Sequence, residues 1–197
     1  MVVVVIAILS FFITPRFNNS DLYKAADQII SHIRYTQHLA MIDNRFDPFK
    51  QHWYYERWRI SFRDCYGAST KKYYVIYKDM NHGGASAAPG RLESAIDPKD
   101  KKYLYNNGRC KKSKIDSSEV LIGLKYGIID FKHKGGCKNS YIAFDNFGRP
   151  YYSTYEKEPF SGYFQSDCNL TFFTASGSFT ITIYKETGYA RLSDISN

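Results

Sequence analysis

Met1 to Phe17 reads MVVVVIAILSFFITPRF, and from Asn19 onward the pattern turns amphipathic, so an apolar run passes directly into a helix written to lie on a core. Only Ser10 interrupts Val2 to Ile13. That run is shorter than the roughly 20 residues a bilayer-spanning helix needs. A secretory signal peptide is one alternative, although a basic start and a small-residue cleavage site are both missing. A buried core segment is another, since short apolar runs do not distinguish the two by periodicity. The reading adopted is an anchoring segment over 1–17, followed by an amphipathic helix over 18–46 and a β-rich domain over 47–197.

In the helix, Leu22, Ala26, Ile29, Ile33, Thr36 and Ala40 recur at alternating steps of four and three, which places them on one face. Ser20 and Asp21 supply cap chemistry at its start. Lys24, Asp27, His32 and Arg34 fall off the stripe. Asp47-Pro48 marks the stop after Asn44, because the residue before proline avoids helical angles. Joined to the apolar run, the helix would approach 60 Å at about 1.5 Å per residue, with a bend at Pro15.

After Pro48 the period changes to two. Trp58 to Arg63 and Tyr73 to Lys78 predict a hairpin turning over Gly67 to Thr70. From about residue 80 to 118 the chain is rich in Gly, Asn, Ser and Lys, and this reads as an inserted loop with one short strand at Lys102 to Tyr105. Further strands are expected at Val120 to Leu124, Ile128 to Lys132, Tyr141 to Phe144, Tyr151 to Tyr152, Leu170 to Thr174 and Phe179 to Tyr184. With 18 Tyr and 14 Phe in 197 residues, a mainly β body suits the composition, since aromatics pack well on pleated surfaces.

The start of the chain resembles type IV pilins and the pseudopilins of type II secretion, whose valine- and isoleucine-rich helix ends in Pro-x-Phe, here Pro15-Arg16-Phe17. Tyr141 to Pro150 (YIAFDNFGRP) resembles a hairpin of the GspH/FimT type of minor pseudopilin. Phe179 to Tyr184 followed by Thr187-Gly188-Tyr189-Ala190-Arg191 resembles that family's closing strand and Thr-Gly turn. The resemblance implies an α+β fold in which a long N-terminal helix packs on a small antiparallel β-sandwich. It also implies a single-pass subunit of the bacterial inner membrane, with its C-terminal domain in the periplasm or on an extracellular filament.

Val2, Val3, Val4, Val5, Ile6, Ile8, Leu9, Phe11, Phe12, Ile13 and Pro15 would then form the membrane and assembly helix. No leader, Gly-Phe processing site or glutamate precedes Val2. About six or seven further residues ahead of it would bring the run to spanning length. The expected partners are other pilin or pseudopilin subunits and the inner membrane.

Cys65, Cys110, Cys137 and Cys168 form no CxxC and no Cys/His pair at zinc spacing. Two disulfides are expected in an outward-facing domain, with four buried reduced thiols as the alternative. Three connectivities are open to four cysteines; the expected one joins Cys65 to Cys110 and Cys137 to Cys168.

No catalytic constellation emerges. Ser69-Thr70-Lys71-Lys72 has the Ser-x-x-Lys spacing of serine acyl enzymes but lacks the elements that accompany it. The five histidines, His32, His38, His52, His82 and His133, are scattered and read as surface residues. Neither a calcium loop nor a phosphate loop has its required spacing. The chain is therefore expected to be non-enzymatic, with no cofactor and no small-molecule substrate.

Charge is the remaining signal. Of a net +8, a large share sits between Lys99 and Lys114, where Lys99, Lys101, Lys102, Arg109, Lys111, Lys112 and Lys114 face one acid, Asp100. Tyr103 and Tyr105 are interleaved there. Lys132, His133, Lys134 and Lys138 add a second cluster. Such a loop can take nucleic acid through phosphate contacts and base stacking, or can be a solvated loop kept soluble by its lysines. In FimT-like minor pilins of DNA uptake a basic Gly-Arg-x-Arg element lies near the C-terminus. Here only Arg191 matches it. A DNA-binding minor pilin and a secreted β-rich binding protein are the alternative functions.

Overall fold

The computed structural model describes residues 19–80 and 89–196, so the apolar run from Val2 to Ile13, with Pro15, lies outside the described residues. Helix α1 (Asn19–Ile42) precedes eight strands: β1 (Arg59–Cys65), β2 (Ala68–Tyr77), β3 (Ile128–Gly135), β4 (Tyr141–Phe144), β5 (Pro150–Tyr151), β6 (Cys168–Thr174), β7 (Gly177–Ile183) and β8 (Ala190–Ser196). A short helix, α2 (Ile122–Tyr126), leads into β3. The class is α+β, with two antiparallel four-stranded sheets ordered β2-β1-β4-β5 and β3-β6-β7-β8. No described helix is long and apolar enough to cross a membrane.

All six stripe residues of α1, Leu22, Ala26, Ile29, Ile33, Thr36 and Ala40, are buried. The helix packs against β1 and β4 of one sheet and β7 and β8 of the other, so a single apolar stripe closes a core shared by both sheets. Burial on this scale is what holds a 24-residue helix, since propensity alone leaves helices marginal. Cross-strand pairs Ile60↔Ile76 and Phe62↔Tyr74 aim their side chains into this core, where the Phe62 ring meets Phe172 of β6 at 5.2 Å. On the opposite face of the first sheet, Arg59 and Ser61 are buried as well, so β1 is covered on both sides.

Gln37 ties the helix to both sheets at once. Its amide donates to the Gly148 carbonyl at 2.8 Å, in the β4–β5 turn, and to the Thr187 carbonyl at 2.7 Å, in the β7–β8 turn. Gly148 and Gly188 have φ of 79° and 67°, and a Cβ on Gly188 would sit 2.3 Å from the Gly148 carbonyl oxygen. Only glycine fits there, so the two turns bearing the motifs Asp145-Asn146-Phe147-Gly148 and Thr187-Gly188 meet under one glutamine.

Several expectations are corrected. The helix ends at Ile42 rather than Asn44, and Ser20 and Asp21 lie inside it rather than capping its start. His32, expected at the surface, is buried, because the helix covers two sheets and its inward arc is wider than the stripe. The β1–β2 turn is Tyr66-Gly67, and Ala68 to Thr70 already belong to β2. Val120 to Leu124 is not a strand: Ser117 Oγ accepts the Glu119 N–H at 3.3 Å and opens a 3₁₀ turn that runs into α2. A short buried apolar run is compatible with either element, and the cap decides. Lys102 to Tyr105 forms only isolated bridges, Tyr103 to Ile96 and to Asp116. Strand β8 had no counterpart among the expected strands, since its Arg-Leu-Ser-Asp-Ile-Ser pattern is too polar to read as one.

Candidate functional site

The basic segment is not a slack insertion. Asn106 is buried, its Oδ1 accepting the N–H groups of Gly108 and Cys110 at 3.0 and 2.9 Å while its amide donates to the Lys111 carbonyl at 3.2 Å. Asp97 and Asp100 accept the Lys99 and Lys102 N–H groups, and the Ser117 hydroxyl lies within hydrogen-bond reach of both carboxylates. Arg91 closes the segment with a two-pronged bond to Asp116 at 2.6 and 3.0 Å, the geometry that suits a guanidinium to a carboxylate. Cys110 is joined to Cys65 at the end of β1, and Cys137 to Cys168, the expected connectivity.

On this frame Lys99, Lys101, Arg109, Lys111, Lys112 and Lys114 are exposed and Lys102 is half-buried. None of the seven forms an ion pair among the described residues. Such a set can neutralise phosphates. The tyrosines contribute less: Tyr103 is pinned by its two bridges, and the Arg91 guanidinium lies 5.2 Å from the centre of the Tyr105 ring. Lys132 and Lys134 project from β3, which packs beside β2, whereas Arg191 stands on β8, three strands away across the second sheet. Arg191 is therefore not brought to the basic loop; its guanidinium lies over Tyr184, 5.4 Å from the ring centre.

Lys72, the lysine of the Ser-x-x-Lys spacing, is buried and ion-paired to Asp64 at 2.6 Å and Asp130 at 3.4 Å. A partly buried polar network joins α1 to α2. The Gln28 carbonyl oxygen accepts from Lys125 Nζ and Tyr126 OH at 2.6 and 2.7 Å, its amide donates to the Glu119 carbonyl, and His32 Nδ1 shares a hydrogen bond with the Tyr74 hydroxyl. Burial holds the His32 pKa below its ordinary value and the Tyr74 pKa far above its own.

The sequence pattern gave no reason to single out Trp53 to Arg59 (WYYERWR), whose signal is two arginines among four aromatics. Arg59 is fully buried yet served: it donates to the Tyr155 hydroxyl at 2.5 Å, to the Tyr55 carbonyl and to the Arg57 carbonyl at 3.4 Å. Tyr155 in turn donates to Asp79 at 2.5 Å. Burial and Asp79 raise the Tyr155 pKa, although Arg59 works against them.

The class this geometry defines is an α+β domain with one long helix closing two antiparallel sheets and a hydrogen-bonded, disulfide-linked cationic loop on one flank. Comparison with known protein families, with curated proteins and with solved structures gave no match to this chain.

Proposed function

We propose that this chain is a non-enzymatic minor pilin or pseudopilin, a subunit of a bacterial type II secretion or type IV pilus filament. Val2 to Ile13 anchors it in the inner membrane before assembly, held there by hydrocarbon burial of its apolar side chains, and packs among other such helices afterwards. The observation that carries the reading is the tie at Gln37. The two turns whose sequences resemble the pseudopilin hairpins lie together and are bonded to the helix that succeeds the apolar run. Two disulfides accord with a domain that matures in the periplasm.

Flotation of the full chain with phosphatidylethanolamine and phosphatidylglycerol vesicles tests the anchor. The parent chain is expected to float, and Val5→Asp with Ile8→Asp to remain at the bottom with an unchanged Tm. A parent chain that stays at the bottom defeats the anchoring role.

The exposed cations of the loop, without ion-pair partners among the described residues, favour a second role: salt-sensitive and sequence-independent DNA binding by the filament-borne domain. Log affinity should fall linearly with log salt, with a slope set by the number of phosphates neutralised. Replacing Lys111, Lys112 and Lys114 with Glu should weaken gel shifts on duplexes of any sequence. An unchanged shift at low salt removes the loop as the DNA site.

A further inference from the structure

Beside the apolar stripe of α1 runs a second one. Lys24, Gln28, Ser31 and Tyr35 recur at steps of four, three and four, with His32 between the two stripes and Asp27 on the far side. This arc does not face open water. Pro98 and Lys99 of the basic segment and Tyr126 of α2 face it, and together they line a groove of about 540 Å³. That volume lies in the range of small-molecule sites.

His32 is 8% exposed, and what it offers the groove follows from its inner edge. Nδ1 meets the Tyr74 hydroxyl, whose oxygen also accepts the Gln28 amide at 3.2 Å. The other acceptor in reach of that hydroxyl, the Glu119 carbonyl, is 3.4 Å away and already accepts the same amide. Burial keeps Tyr74 a phenol and His32 a neutral imidazole at pH 7. The phenol hydrogen therefore goes to Nδ1, and the imidazole hydrogen sits on Nε2. Nε2 has no hydrogen-bond partner among the described residues, yet it is not sealed from the groove. A buried N–H in that state is uncommon enough to call for an acceptor.

The Ser31 hydroxyl and the Asp27 carboxylate line the same groove and likewise bond no described residue. Formal charges around it cancel, Lys24, Lys99 and Lys125 against Asp27, Asp97 and Glu119. An anion at Nε2 would meet Asp97 and Glu119, whose charges act on the imidazole. A cation would meet the N–H and three lysines. What suits a lone N–H beside a carboxylate is an uncharged group that accepts and donates through one atom, which is a hydroxyl. We propose that the groove binds a neutral mono- or disaccharide, held by His32 Nε2–H, Ser31 and Asp27. Several hydroxyls on an apolar ring frame answer these three groups in turn, while Tyr35, Pro98 and Tyr126 cover the C–H faces. The site depends on neither the filament nor the DNA reading.

The full chain, isotope-labelled for NMR and held in a detergent without a sugar headgroup, is titrated with glucose, galactose, mannose, N-acetylglucosamine and their disaccharides. At least one of them is expected to shift the His32 Nε2 signal along a saturable curve at millimolar concentration, and to receive saturation transfer from the protein. Ser31→Ala with Asp27→Asn, both at exposed positions of α1, should weaken that sugar about tenfold or more with Tm unchanged, as expected for the loss of one or two hydrogen bonds. A His32 signal that no sugar of the panel moves, or that moves equally in the double variant, overturns the proposal. So does a shift produced by acetate or by N-acetylglycine methylamide and by none of the sugars, which would make the ligand an anion or a peptide.

Discussion

The helix-and-sheet core and the segment from 89 to 117 are built on opposite principles. In the core, one stripe of α1 and the inward faces of two sheets exclude water, and nearly every side chain involved is apolar. Between Pro89 and Ser117 few side chains are buried apolar groups, Ala95, Leu104 and Cys110 among them, and the backbone is held instead by Asn106, Asp97, Asp100, Ser117 and one disulfide. The first arrangement is non-directional and cooperative. The second is a set of directional bonds, each replaceable at a local cost.

The sharpest break in that contrast is Ile33→Asp, which buries an unpaired charge where the helix meets both sheets. A loss of about 4 to 5 kcal/mol is expected from urea denaturation, with the whole domain unfolding as one transition. Next is the pair Cys65→Ser with Cys110→Ser. The bridge spans 45 residues, and chain entropy assigns it about 4 kcal/mol. Here limited proteolysis at Lys111 and Lys112 should accelerate while the α1 amides stay protected from exchange.

Asn106→Ala should cost about 2 kcal/mol, because it leaves the buried N–H groups of Gly108 and Cys110 without their acceptor. Faster hydrogen exchange confined to 106–111 would bear out the local character of the segment, and a lowered global midpoint with altered exchange in β6 would refute it.

The smallest effect belongs to His32, which lines a pocket between the helix and the segment. Burial outweighs the pull of Asp97, Glu119 and Asp100, and Lys125 acts with it, so the folded pKa lies below the ordinary 6.5. The unfolded chain therefore binds the proton more readily, and stability is full above that value and declines as pH falls through the folded one. The Tm of His32→Gln should drop less than that of the parent between about pH 7 and pH 5.

Legibility in the sequence divides along the same line. Leu22, Ile29 and Ile33 could be assigned to the core because apolar burial repeats with the helix period, and Tyr141 to Phe144 is a strand with the expected bounds. The loop's order was not legible, since Asn106 and Asp97 look like solvent-facing polar residues until their backbone partners are known. Val120 to Leu124 misled for a related reason: its apolar run reads as a strand, and the hydroxyl of Ser117 is what makes it helical. Arg57, buried without a hydrogen-bond partner among the described residues, gave no sign at all, because nothing in a sequence separates it from a partnered buried arginine such as Arg59.

The margins of the two sheets bear on how copies of this domain can associate. A sheet polymerises when an outermost strand offers an uninterrupted row of unpaired backbone groups. Strand β5 has two residues, β2 and β3 stand side by side with Lys72 bonded to Asp130, and β8 turns Arg191 and Asp194 outward beside a register break at Thr180/Ile181. Each described margin is short, occupied or charged, the features that disfavour the addition of a strand from a second copy.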